Sequence, residues 1–281
     1  MSDLPDSVFE TIVSVALAED IGAGDVTTEA CVSPETKASA SGVARGELVV
    51  AGVPVVARVF ERMDKSLRVE AVAAEGSKVG LGATIFRVSG SARAILTGER
   101  VALNFLQRMC GIATMTRRFV DALPAGSHTR ITDTRKTTPG LRVLERYAVR
   151  RGGGHNHRND LGSAVLIKDN HIVAAGGVTN AIRAARARAP HTSRIECEVD
   201  TMVQLDEALA AGADIILLDN MDTAAVREAV GRARGKAILE ASGSVTLGRV
   251  HDLAAAGVDA ISVGALTHSV QSADIGLDFS S

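Results

Sequence analysis

The pattern of apolar and polar positions changes rhythm once along this chain. Residues 6–19 repeat apolar side chains at helical spacing, with Val8, Ile12, Val15 and Ala16 on one face, which predicts an amphipathic helix. The following EDIGAGDVTTEA reads as a loop, in which Asp25 and Thr27 are more readily local caps than ligands. From Lys37 to Ser91 short alternating runs broken by glycine predict β-strands, with a helix over Pro54–Met63 between them. Ala92–Leu123 reads as a helix bending at Gly111, with Arg100, Asn104 and Arg108 on one face. These segments make one α+β unit.

From Ile131 onward the rhythm is strand, then helix. Apolar runs fall at Ile131, Ala164–Ile167, Ile195–Val199, Ile215–Leu218, Ala237–Leu239 and Ala260–Val263, and helical patterns cover 177–189, 201–211, 223–234 and 245–256. Two helix-to-strand joints are nearly the same, AAGADII and AAGVDAI. Each is a glycine helix stop followed by a buried parallel strand. Six strands fall short of the eight of a full barrel, so a small or open α/β barrel is expected.

Composition narrows the function. At 281 residues the chain has room for two domains, and 46% apolar residues supply a sizeable core. A net charge of −2 gives no bulk attraction to nucleic acid or an anionic membrane, and 2% aromatics with no Trp argue against base-stacking platforms. No run reaches transmembrane length, and the N-terminus lacks the pattern of a secretory signal. The three cysteines, Cys31, Cys110 and Cys197, have no paired spacing and read as reduced core residues of a cytoplasmic protein.

Candidate chemistry concentrates at the C-terminal ends of the second-half strands, where parallel βα folds carry their sites. In order these ends bear Arg135 and Lys136, Lys168 and Asp169, Glu198, Asp219 and Asn220, Glu240 with Ser242 and Gly243, and Gly264. The stretch from Asp133 to His171 holds most of the cations. Arg142, Arg146 and Arg150 recur every four residues and read as a surface or supporting stripe. Arg135, Lys136, Arg158 and Lys168 flank strand ends, Gly and Pro, and suit a ligand with several negative charges. Glu198 and Asp219 suit ribose hydroxyls or Mg²⁺, or salt bridges to the cations. The loops ASGSV and VGALTH suit a phosphate at helix N-termini. A metal at His155 and His157 is disfavoured by the surrounding cations, and His157 is read instead as an anion-contacting or proton-donating group. Lys168 also admits a Schiff-base reading, as in aldolases.

The motifs DTRKTTPGLR, GGGHNHR, AVLIKDNH, CEVD, ILLDN, ASG and VGALTHS, in this order, resemble quinolinate phosphoribosyltransferases, as do EDIGAGDVTT and DIGLDF near the ends. The resemblance covers nearly the whole chain. It implies an N-terminal α/β sandwich domain over residues 1–112, onto which a tail of 270–281 packs, and an incomplete α/β barrel over 113–269. It implies phosphoribosyl transfer from phosphoribosyl pyrophosphate to quinolinate with decarboxylation, Mg²⁺ as cofactor, and a homodimer or higher assembly with shared sites; the alternatives are a phosphoribosyltransferase for a related anionic acceptor and a non-catalytic phosphoribosyl-ligand sensor. Arg135, His157 and Arg158 would bind the two quinolinate carboxylates, with Lys136 and Lys168 completing the basic pocket and Thr134 a further substrate-binding residue. Glu198 and Asp219 would hold ribose and metal, and these two with Lys136 and Lys168 would be catalytic. Ser242, Gly243, Gly264 and His268 would lie by the 5-phosphate, and Arg100 would reach the partner's site. Cys110, where the family more often has Ser, and Asn159-Asp160 after Arg158 are the local departures.

Overall fold

The structure is a computed structural model and describes residues 4–280. Its first half runs α1 (Asp6–Ile21), α2 (Val26–Cys31), β1 (Lys37–Ala44), β2 (Leu48–Val49), α3 (Val53–Met63), β3 (Arg68–Ala71), β4 (Lys78–Val79), β5 (Thr84–Ser91) and α4 (Ala92–Asp121). Then come β6 (Arg130–Thr132), α5 (Arg142–Arg151), β7 (Val165–Ile167), α6 (Asp169–Ala175), α7 (Val178–Arg188), β8 (Ile195–Val199) and α8 (Met202–Ala210). The chain ends with β9 (Ile215–Asp219), α9 (Thr223–Ala233), β10 (Ile238–Ser242), α10 (Leu247–Ala256), β11 (Ala260–Ser262), α11 (Ala265–His268) and β12 (Ile275–Phe279).

Two compact units emerge. Among the described residues one comprises 4–117, 137–153 and 266–280, the other 118–136 and 154–265. The first holds an antiparallel sheet in the order β12-β1-β5-β3 and the small pair β2-β4. The C-terminal strand β12 pairs with β1 in register from Ala40–Phe279 to Ala44–Ile275. Before it, the segment at Gln271 crosses α4 so closely that a Cβ on Gly111 would lie 2.3 Å from the Gln271 carbonyl oxygen. Gly111 is therefore a crossing point, and α4 runs through it as one helix. Arg108, on the helix face shared with Arg100 and Asn104, donates to the buried Glu145 carboxylate at 2.6 Å, to Thr138 Oγ1 and to the Thr267 carbonyl. It is a structural cross-link of this unit.

Three sequence expectations change here. The covered face of α1 is Phe9, Val13 and Leu17, not the face of Val8 and Val15, which stay 48% and 61% exposed. Phe9 offers far more area to bury than any residue of the other face, and that decides which side turns inward. Ile12, Val15 and Ala16 instead line an apolar cavity of about 700 Å³ with Val101, Phe105 and Leu144. EDIGAGDVTTEA is not all loop: Asp25 caps α2 by accepting from the Thr28 N–H at 3.0 Å. Cys31 is exposed, whereas Cys110 and Cys197 are buried as expected.

The second unit carries six parallel strands in the order β6-β11-β10-β9-β8-β7. This is the open α/β barrel: β6 and β7 remain apart, and beyond β6 only an isolated parallel bridge from Thr132 to His155 is added. Strand β8, reading IECEV, alternates apolar and acidic residues most plainly. Ile131, Ile167, Cys197, Ile216, Leu218, Leu239 and Ile261 are buried apolar positions. The intervening Thr132, Glu196, Glu240 and Ser262 are buried polar ones. The cavity side of the sheet is therefore mixed, with Glu240 and Ser262 beside Leu166 and Leu217.

Candidate active site

The polar inner layer opens at the C-terminal ends of the strands into a cavity of about 360 Å³. Its cations come from two loops, Thr134–Lys136 after β6 and His157–Arg158 after the isolated bridge, and from Lys168 after β7. One carboxylate fixes the first two loops. Asp133, with no exposure, accepts from Asn156 Nδ2 at 2.6 Å and from the His157 backbone N–H at 2.7 Å. Its own N–H donates to the His155 carbonyl, and the His155 N–H to the Ile131 carbonyl. A buried carboxylate needs such donors to offset its lost hydration. The Thr134 hydroxyl then accepts from the Lys136 N–H at 3.1 Å, folding the loop back on itself. Arg158 Nη1 donates to the Ala164 carbonyl at 3.2 Å, which holds its side chain against the start of the β7 segment.

The opposing wall is acidic. Glu198 and Asp219 end the paired strands β8 and β9 and line the cavity. Lys168 Nζ forms an ion pair with Glu198, and Asn220 Nδ2 donates to Asp219 at 2.8 Å. Next to them, the turn after β10 is built for a backbone approach. Asn220 and Ser244 have φ of 54° and 47°, and the Asn220 N–H donates to the Ser242 carbonyl. A Cβ on Gly243 would sit 2.3 Å from Asn220 Oδ1, so only glycine fits there. The N–H groups of this turn and of the start of α10 suit a phosphate.

Below the cavity lies a buried cluster of His157, Glu196 and Glu240, whose ligand-capable atoms all lie within 4.8 Å of one another. His157 Nε2 is 3.3 Å from Glu196 Oε2 and 3.5 Å from Glu240 Oε1. Its Nδ1 accepts from the Arg158 N–H at 2.7 Å, so the ring proton sits on Nε2 and faces the two carboxylates. A metal on Nε2 would need the opposite tautomer with an acceptor at Nδ1, which this backbone donor forbids. The cluster is a proton-holding one. Burial, then the charge of Glu196, raise the Glu240 pKa to about 7. Burial works against charge on His157, but its hydrogen bond to Glu196 and the charges of Glu240, Glu196 and Asp133 shift its pKa upward overall. The three groups together keep an extra proton close to neutrality, and the Nδ1 contact places it on Glu240.

Of the residues singled out from sequence, the cavity brings together Thr134, Arg135, Lys136, His157, Arg158, Lys168, Glu198, Asp219, Ser242 and Gly243. Gly264 follows β11 in the same unit but does not line the cavity. Arg100 in α4 and His268 in α11 are exposed and belong to the other unit. Arg142 and Arg146 are half-buried and Arg150 is exposed, all on α5 in that unit as well. Asp160, a local departure, accepts from the Gly162 N–H and the Ser163 hydroxyl and so serves its own loop. Sequence reasoning passed over Asp133, Glu196, Leu166, Leu217 and Ser262, and took Glu240 for a strand end. Glu240 stands mid-strand, and its period-two placement with Ile238 and Ser242 was the available signal.

Comparison with known proteins covers both units. Residues 25–110 match the quinolinate phosphoribosyl transferase N-terminal domain and residues 112–278 its C-terminal domain. The chain is similar to the nicotinate-nucleotide pyrophosphorylase [carboxylating] of Mycobacterium leprae, 44% identical with 99% of each chain covered. It is also similar to the probable nicotinate-nucleotide pyrophosphorylase [carboxylating] of Bacillus subtilis, 44% identical over 92% of this chain and 89% of that one. The crystal structure of NadC from Streptococcus pyogenes superposes with a TM-score of 0.94 at 39% identity, covering 100% of both chains.

The cluster sets a pH dependence of stability. Between the ordinary carboxyl value of 4.5 and about 7, Glu240 is protonated only in the folded chain, so unfolding releases a proton. Its contribution is fully present below pH 4.5 and lost as pH rises through about 7. In urea unfolding across that range, the native chain should lose up to roughly 3 kcal/mol relative to Glu240→Gln as pH rises. Parallel pH profiles of the two proteins would show that Glu240 ionises normally.

Proposed function

Because the chain belongs to the quinolinate phosphoribosyltransferase family across both of its domains, we propose how its cavity performs that family's reaction. The enzyme transfers a phosphoribosyl group from phosphoribosyl pyrophosphate to quinolinate, with loss of CO₂, giving nicotinate mononucleotide and pyrophosphate in NAD biosynthesis. The convergence of Arg135, Lys136, Arg158 and Lys168 on one cavity is the observation that carries the assignment of roles. A dicarboxylate needs several fixed cations, and guanidinium groups meet carboxylates in a planar fork.

In this reading Arg135 and Arg158 hold the two carboxylates, with His157 beneath them. Lys136 and Lys168 supply charge for the carboxylates and for the leaving pyrophosphate. Ser242 and Gly243 take the 5-phosphate on their turn. Gly264 and His268 are kept as further phosphate contacts on the family resemblance alone. Glu198 and Asp219 accept from the ribose hydroxyls. Both present oxygen atoms to the same cavity, the donor type that Mg²⁺ prefers, so these residues fit that cofactor. Bound there, Mg²⁺ would offset the charge of the pyrophosphate. The protein otherwise works by positioning: it sets the pyridine nitrogen against the ribose carbon that loses pyrophosphate, and the cationic ring formed then stabilises the electron pair left by CO₂. The two buried thiols are poor nucleophiles, since burial pushes Cys197 up to about 11 and Cys110 up to about 12.

A homodimer is part of the same proposal. The open face of α1 and the apolar cavity it lines, together with exposed Val26, leave apolar area that a second copy would cover. Arg100, exposed on α4, is then the residue offered to the partner's cavity. A cytoplasmic location suits free cysteines and a chain in which no helix among the described residues is long and apolar enough to cross a membrane.

Purified protein given quinolinate, phosphoribosyl pyrophosphate and Mg²⁺ should form nicotinate mononucleotide and CO₂, with no product from nicotinate. Arg135→Ala and Arg158→Ala should each raise the quinolinate KM by about 30-fold or more, the equivalent of about 2 kcal/mol or more for a buried charged contact. Product from nicotinate alone would overturn the dicarboxylate pocket. Mixed dimers of Arg100→Ala and Lys136→Ala subunits should regain part of the activity that each parent lacks. No recovery in dimers shown to be mixed would rule out a shared site.

A further inference from the structure

We propose that Glu240 is the acid that delivers a proton to pyridine C2 as CO₂ departs. The inference rests on the reaction assigned above and adds a residue to it. Decarboxylation breaks the bond between C2 and its carboxylate and leaves the electron pair on C2, beside the cationic ring nitrogen. That carbon must gain a proton before CO₂ returns to it. The guanidinium groups that hold the carboxylates are too weak as acids for this task. A neutral carboxylic acid suits it.

Glu240 meets the geometric requirements. It is 95% buried yet lines the substrate cavity, with Ser262 and Leu217 beside it on the neighbouring strands. Its Oε1 has no hydrogen-bond partner, because the His157 Nε2–H lies closer to Glu196, 3.3 against 3.5 Å. An ionised oxygen left so would be costly, whereas a carboxylic acid tolerates the position. Facing it are His157, Glu196 and Asp133, which bear on its charge, and the Ser262 hydroxyl, which hydrogen-bonds it. His157 and Glu196 are positioning residues: with Nδ1 fixed by the Arg158 N–H, the ring has no second proton to give upward.

Resupply has its own route. Glu240 and His157 also line a second cavity of about 810 Å³ toward the N-terminal ends of the strands. Its lining includes the exposed Arg130, His155 and Arg194. Substrate reaches Glu240 from one side and solvent from the other. After the O–H proton passes to C2 as a new C–H bond, the carboxylate takes a proton from water on the solvent side. Over the turnover one bulk proton replaces one CO₂.

The test is rapid-quench kinetics of native enzyme, Glu240→Gln and Glu240→Asp, following pyrophosphate and nicotinate mononucleotide separately, with quinolinate affinity measured by titration calorimetry. Glu240→Gln should bind quinolinate within about threefold of native and release pyrophosphate at the native rate. Its nicotinate mononucleotide formation should fall roughly 10²- to 10⁴-fold, the usual contribution of a general acid, with phosphoribosylated quinolinate accumulating. Glu240→Asp should recover part of the loss. Native product formation in Glu240→Gln would overturn the proposal, and so would equal loss of binding, pyrophosphate release and product, which marks a merely structural group. Absence of product from native enzyme overturns the assigned reaction and this step with it. Should Glu240→Gln fail to fold, infrared difference spectra of native enzyme decide: a buried carboxylic acid band lost between about pH 6 and pH 8 is required, and its absence refutes the acid.

Discussion

A fully buried carboxylate, Asp133, accepts from the Asn156 amide and the His157 backbone N–H and so binds together the two loops that carry the cations. Guanidinium and ammonium groups repel one another, and left to themselves Arg135, Lys136 and Arg158 would splay into solvent. Arg135 does bear on Arg158: with burial, its charge lowers the Arg158 pKa. The negative charge of Asp133 beneath them, held by charge-assisted bonds worth roughly 1.5–3 kcal/mol each, keeps the loops where the cations converge. The cations are thus brought together by the fold itself, and in the proposed reading two entering carboxylates would relieve their repulsion.

The barrel makes this possible by separating its duties. Outward-facing Ile131, Ile167, Ile216, Leu239 and Ile261 are buried apolar residues that hold the sheet. The inner layer then need not be wholly apolar, and Thr132, Glu196, Glu240 and Ser262 stand in it beside Leu166 and Leu217. Two inward acids so close cannot both ionise cheaply, and the proton they retain is the source of both the pH-sensitive stability and the acid at the cavity floor. Structure and chemistry share one arrangement.

What was legible in the chain followed from local rules. Strand-then-helix rhythm, glycine stops and the residues just past each apolar run located six strands and ten of the cavity's residues. What was not legible depended on tertiary placement. Asp133 looks like any residue before a loop until the His157 N–H is seen to reach it. Glu196 and Glu240 lie inside apolar runs, IECEV and AILEA, where a strand buried on both faces hides its alternation. The face of α1 was misread because both faces are apolar, and only the size of Phe9 separates them. Helix α6 was missed because it is 7 residues long with none buried, so it has no periodic signal.

The claim on which the rest depends is that Asp133 pre-forms a pocket for two carboxylates. Titration calorimetry of quinolinate and of nicotinate into the native protein and into Asp133→Asn, with folding checked by circular dichroism, tests it directly. The native protein should prefer quinolinate over nicotinate by roughly 30-fold or more, and Asp133→Asn, similar in shape but uncharged, should lose most of that preference. An unchanged preference in a folded Asp133→Asn protein would show that the cations converge without it and would contradict the account.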